Sequence, residues 1–142
     1  MPLPTPEPGL VLCYEFLWSN EHQAGHEQGE KQRPAVVVLK TRTEAGQISV
    51  TVAPVTHSPP RSETHALEIP PKVRQHLGLD SRRSWIVYDE LNEFIWPGLD
   101  LYPVPGGRPG QFDYGFLPPA LFSMLIKSIL ELDARTKKTV PR

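Results

Sequence analysis

Seventeen prolines in 142 residues constrain this chain more than any other feature. Proline locks φ and lacks a backbone N–H, so it breaks helices and is confined in sheets to edges, first residues and bulges. Pro59-Pro60, Pro70-Pro71, Trp96-Pro97-Gly98 and Pro118-Pro119 cut the sequence into brief segments. Short strands joined by fixed turns are the expectation, because few stretches can carry a long helix or a long central strand.

The apolar pattern fills those segments. Leu10, Leu12, Tyr14, Phe16 and Trp18 alternate with Val11, Cys13 and Glu15, a first strand with a heavy aromatic face. Residues 19–32 show no periodicity and read as a long connection. Residues 34–41 (PAVVVLKT) are almost continuously β-branched or apolar, as in a strand covered on both faces. A turn at Gly46 leads into Ile48, Val50 and Val52, which alternate down to Pro54. Residues 58–64 read as a rigid loop and 66–69 as a short strand. Pro70-Pro71 opens one or two helical turns that Gly78 ends. Residues 84–88 (SWIVY) are another strand, 89–93 an acidic solvated segment and 99–104 an edge strand. From Pro119 onward Leu121, Phe122, Leu125, Ile126, Ile129 and Leu130 recur at helical spacing, which predicts an amphipathic helix over 119–134. The sum is mainly β with a C-terminal helix, a small, partly closed antiparallel barrel over 9–134. Residues 1–8 read as a disordered N-terminus and 135–142 as a basic tail.

Several chemistries are disfavoured. The single Cys13 cannot form an internal disulfide. No apolar run reaches the length of a membrane span, and MPLPTPEPG lacks the charged and apolar regions of an export signal, so a cytoplasmic location is expected. His22 and His26 are four apart, but Gln23 stands where a zinc-protease pattern needs Glu, so no metal or other cofactor is expected. Residues 106–110 lack the ending of a phosphate loop, and no Ser occupies a nucleophile elbow. Clustered Asp89, Glu90 and Glu93 are a weak basis for glycoside chemistry. A net charge of −1 leaves only local basic groups for a polynucleotide to follow, around Lys72, Arg74, Arg82 and Arg83 and in the tail.

Arg33 and Thr56 stand out, because adjacent antiparallel strands would bring them to one rim. A guanidinium beside a hydroxyl suits a phosphodiester or a carboxylate. Gly25-x-Glu27-x-Gly29-x-Lys31-x-Arg33-Pro34, then AVVV, Pro54-Val55-Thr56, Gly78-Leu79-Asp80 and a strand from Ser84 together resemble the PemK/MazF family. These are toxins of bacterial type II toxin–antitoxin modules. The resemblance implies an SH3-like barrel, usually a homodimer, acting without a metal as an endoribonuclease on single-stranded RNA. Its products would carry 2′,3′-cyclic phosphates, and a cognate antitoxin would lie across the groove. It implies catalytic roles for Arg33 and Thr56, with His57 a proton-transfer candidate by type, and a substrate groove with Trp18, Glu27, Lys31 and Ser58. The family commonly has Ser after the threonine, where this chain has His57 followed by Ser58. A non-catalytic member of the same fold, binding a protein partner, is the alternative.

Overall fold

The computed structural model describes residues 3–60 and 65–142. In chain order the elements are β1 (Leu10–Glu15), α1 (Ser19–Gln23), β2 (Gln32–Arg42), β3 (Ile48–Thr56), β4 (Ala66–Glu68), α2 (Pro71–Leu77), β5 (Trp85–Val87), β6 (Glu90–Ile95), β7 (Asp113–Phe116), α3 (Pro119–Glu131) and β8 (Lys138–Pro141). The fold is mainly β: eight strands in a curled half-barrel sheet, with a helix toward the C-terminus. All pairings are antiparallel except β6 with β8.

The sheet turns on β3. Along one edge it pairs with β2, from Arg42↔Ile48 to Ala35↔Pro54. Along the other it pairs first with β6, through Ser49 to Val52, and then with β5, through Val55 and Thr56. Pro54 falls in the gap between those two partners, where its missing N–H leaves no ladder bond broken. This is how β2 and β3 reach 11 and 9 residues, longer than the proline content led one to expect. Pro34 is accommodated inside β2, opposite Cys13.

Alternation along the strands sends side chains to two cores. Leu10, Leu12, Tyr14, Phe16, Ala35, Val37, Val50, Val52 and Phe94 pack on one face. Val11, Val36, Ala53, Val55, Ile69, Ile86 and Leu91 pack on the other, where Leu77 of α2 and Leu121 and Leu125 of α3 cover them. The apolar stripe of α3 thus packs on its own sheet.

Several local readings are corrected. Residues 89–93 are not a solvated acidic segment: they enter β6, with Leu91, Asn92 and Phe94 buried. The connection 19–32 opens with the short α1, and 99–104 contributes only a single bridge, Leu101 to Tyr14. β7 had gone unread. The expected basic tail includes β8, whose Val140 is buried and pairs with β6. The N-terminal residues 3–8 lie against the sheet: Pro6 is buried and Glu7 pairs with Lys40 at 2.7 Å. Positions 1–2 of the expected disordered N-terminus, and 61–64 of the expected rigid loop, lie outside the described residues. α3 stops at Glu131 because Leu132 turns to an extended conformation.

Candidate functional site

The β2–β3 register brings the singled-out pair together. The ladder ends at Ala35↔Pro54, and Arg33 and Thr56 lie two residues beyond it on their strands, Arg33 paired with Tyr14 and Thr56 with Trp85. Two adjoining cavities meet there, of about 750 and 670 Å³. Both are lined by Glu30, Lys31, Arg33 and Thr56. The first lobe extends over Cys13, His57, Asp80, Ser84 and Tyr114. The second extends over Trp18, Ser58, Asp89 and Glu90.

Arg33 is half-buried, and its guanidinium centre lies 5.1 Å from the centroid of the Trp18 ring. Its Nε is buried with no hydrogen-bond partner, and no carboxylate pairs with it among the described residues. Desolvation pulls its pKa below the ordinary arginine value, while the charges of Glu21 and Glu30 oppose the shift. It nevertheless stays cationic, because arginine does not lose its proton in proteins. An unpaired, partly desolvated cation is a favourable anion site.

The support for Arg33 is built from distant pieces. The Trp18 ring is held edge-on by Phe16, with centroids 5.1 Å apart. The Trp18 backbone N–H donates to the Glu21 carboxylate, and the Ser19 N–H and hydroxyl donate to Glu90 at 2.8 and 2.6 Å. These bonds satisfy the exposed donors at the start of α1 and fix the ring. Arg33 occupies one face of Trp18, so a base expected to stack there has only the remainder of the ring.

Gly29 fixes the approach of the loop before β2. A Cβ at this position would lie 2.0 Å from the Phe16 carbonyl oxygen, so only glycine permits the backbone to pass so close. The following residues, Glu30 and Lys31, are exposed and line both lobes. Glu27 lies elsewhere, in a third cavity with His22, His26 and Asp100. The groove thus gathers Trp18, Lys31, Arg33, Thr56, His57 and Ser58, and leaves out Glu27.

The Thr56 hydroxyl oxygen accepts from the Ser58 N–H at 3.1 Å, which leaves the hydroxyl proton free to be donated. His57 is engaged on both sides. Its Nδ1 is 2.9 Å from the Arg83 carbonyl oxygen and its Nε2 is 3.0 Å from Asp80 Oδ2. Both partners are acceptors, so the ring makes both bonds only when both nitrogens carry protons. Cys13 and Tyr114 line the same lobe, and burial pushes the thiol and the phenol above their usual ranges. Ser84 Oγ is buried there without a partner. Among the described residues no group of three or more His, Cys, Asp or Glu could hold a metal ion.

Sequence reasoning missed Glu30, Ser84 and Tyr114. Glu30 sat in an unpatterned loop, Ser84 was read only as the first residue of a strand, and Tyr114 lies on the unread β7. The motif around Asp80 was visible, but its contact with His57 was not.

No curated protein and no solved structure matches the chain. Residues 13–94, more than half of it, match the family described as the PemK-like, MazF-like toxin of type II toxin-antitoxin system. That segment runs from Cys13 on β1 through the loop, Arg33, β3 and the His57–Asp80 contact to β6, so the match spans most of the groove. Strand order, curled sheet and matched segment agree, and the chain belongs to the PemK-like, MazF-like toxins of type II toxin–antitoxin systems.

Proposed function

We propose that this toxin is a metal-independent endoribonuclease that cleaves single-stranded RNA and leaves 2′,3′-cyclic phosphate ends. The observation that carries the reading is the unpaired Arg33 guanidinium beside Thr56, where the two lobes meet. A scissile phosphate at that junction leaves one lobe for the nucleotide on either side. The ribose 2′-hydroxyl supplies the nucleophile, so the protein has to supply charge stabilisation and proton transfer. Arg33 bears on the developing phosphorane oxygens, and the Thr56 hydroxyl donates to the phosphate. Removing one such preorganised donor typically costs about 10²–10³ in rate. Lys31 and Ser58 flank the RNA backbone, and Trp18 holds Arg33 in place.

The reading extends to partners. A cognate antitoxin would silence the enzyme by laying a segment across the same groove, and the working form would be a cytoplasmic homodimer. No helix among the described residues is long and apolar enough to cross a membrane.

The test is incubation with a long single-stranded RNA in EDTA, alongside Arg33→Ala. Cleavage by the parent chain alone, with cyclic phosphate ends, is the expected result. A folded parent chain that leaves the RNA intact would reject the reading. One observation favours a second reading, a non-catalytic groove that binds a protein partner: both ring nitrogens of His57 are held. A pure binder would tolerate Thr56→Ala in a partner-binding assay, whereas the ribonuclease would lose activity.

A further inference from the structure

We propose that Glu30 is the general base of this groove, the group that takes the proton from the RNA 2′-hydroxyl. The inference rests on the ribonuclease reading and names the residue that reading lacks. Transphosphorylation needs a proton acceptor beside the scissile phosphate, within reach of the 2′-oxygen. Four residues line both lobes, and Glu30 is the carboxylate among them. The other three are Lys31 and Arg33, which bear cations, and Thr56, whose hydroxyl oxygen already accepts from Ser58.

The remaining acid–base groups of the groove are occupied or unsuitable. His57 is held by Asp80 and Arg83, and Asp80 also accepts from the Arg82 N–H. Glu90 is bonded to Ser19, and Glu21 to the Trp18 N–H. Cys13 and Tyr114 hold their protons more tightly than usual because they are buried. Asp89 lines only the second lobe. Glu30 is exposed, has no hydrogen-bond or ion-pair partner among the described residues, and is near enough for its charge to act on Arg33. The contact of Gly29 with the Phe16 carbonyl restrains the loop immediately before it.

The step balances without a co-reactant. The Glu30 carboxylate accepts the 2′-O–H proton as the 2′-oxygen bonds to phosphorus. The bond from phosphorus to the 5′-oxygen breaks, and the departing oxygen takes a proton from water. The Glu30 carboxylic acid then returns its proton to the hydroxide left behind. The products are a 2′,3′-cyclic phosphate and a 5′-hydroxyl.

The experiment measures kcat and KM against pH, in EDTA, for the parent chain, Glu30→Gln, Glu30→Asp, Arg33→Ala and the control Glu44→Gln in the turn between β2 and β3. Glu30→Gln is expected to lower kcat by about 10²–10⁴, the usual share of a positioned general base, with KM and melting temperature little changed. It should also flatten the rise of rate on the acid side, and Glu30→Asp should restore part of both. A solvated surface charge would move neither the pH profile nor kcat beyond the control. If Glu30→Gln keeps the parent rate and profile while Arg33→Ala is dead, the ribonuclease stands and this assignment is overturned. If the parent chain itself does not cleave, the ribonuclease reading fails and the assignment falls with it.

Discussion

Two guanidiniums in this molecule lie over aromatic rings from the same part of the chain, and they are used in opposite ways. Arg142 sits over Tyr14 at 5.6 Å, with its side chain almost wholly buried. It pairs with Asp100 at 3.1 Å and donates to the Glu15 carbonyl at 2.7 Å and to Asn92 Oδ1 at 3.0 Å. Arg33 sits over Trp18 at 5.1 Å with its Nε unpartnered and no carboxylate bound. The fold satisfies one cation fully and leaves the other short of an anion. A saturated guanidinium cross-links the structure, whereas an unsaturated one keeps its binding capacity for a ligand.

Exchanging the damage tests that contrast most directly. Arg142→Ala should cost up to about 3–5 kcal/mol in a urea melt, because the partly buried Asp100 is left without its counter-charge. Arg33→Ala should leave the melt nearly unchanged and, under the proposed ribonuclease function, lower cleavage by about 10²–10³. A variant pair that failed this crossing, with Arg33→Ala unfolding the chain, would end the distinction.

Asn92 sharpens the structural half. Its side chain is fully buried, accepts from the Leu17 N–H at 2.9 Å and donates to the Leu17 carbonyl at 2.7 Å. Asn92→Leu orphans both backbone groups, at about 1–3 kcal/mol each, and should lower the denaturation midpoint. Because Leu17 leads directly into Trp18, cleavage by the folded fraction should also weaken.

Gly29→Ala joins the two regions. The added methyl must push the loop off the Phe16 carbonyl, an overpacking cost of about 1–3 kcal/mol. Since Glu30 and Lys31 follow at once, cleavage should fall by more than the loss of stability explains. Comparing specific activity of folded protein with the melt separates the two effects.

The smallest effect is expected on the rim. Arg83 forms a two-pronged pair with Glu68, both bonds 2.8 Å, on an exposed surface. The Arg83 hydrogen bond, with its charge, holds the Glu68 carboxyl below its usual range. A depressed folded pKa stabilises above the unfolded value and is lost as pH falls through the folded one. Arg83→Gln should therefore cost a little stability at neutral pH and nothing in strong acid, as urea melts at the two pH values would show. A difference that persisted in acid would mean that Arg83 acts through its packing on Trp85.

Much of this was present in the residues themselves. Alternation at Leu10 to Phe16 and at Val50 and Val52 placed those strands, and helical spacing placed α3. Arg33 and Thr56 could be paired because they lie on consecutive antiparallel strands joined by one turn, where register follows from the hairpin. The family was recognisable from words spread over the same stretch. β6 could not be seen in the same way, because Glu90, Asn92 and Glu93 break the apolar pattern for reasons that lie elsewhere in the chain. Glu90 is polar because it caps Ser19, and Asn92 because it bonds Leu17. Likewise His57 had the right type for proton transfer, and only the fold showed that Asp80 and Arg83 already hold it. The sequence by itself determined β1 to β5, the C-terminal helix and the nearness of Arg33 and Thr56, because local periodicity and adjacent register act over short separations. Only the tertiary structure decided which polar groups are satisfied and which are left open, because hydrogen bonds between residues 71 or 75 positions apart leave no periodic trace along the chain.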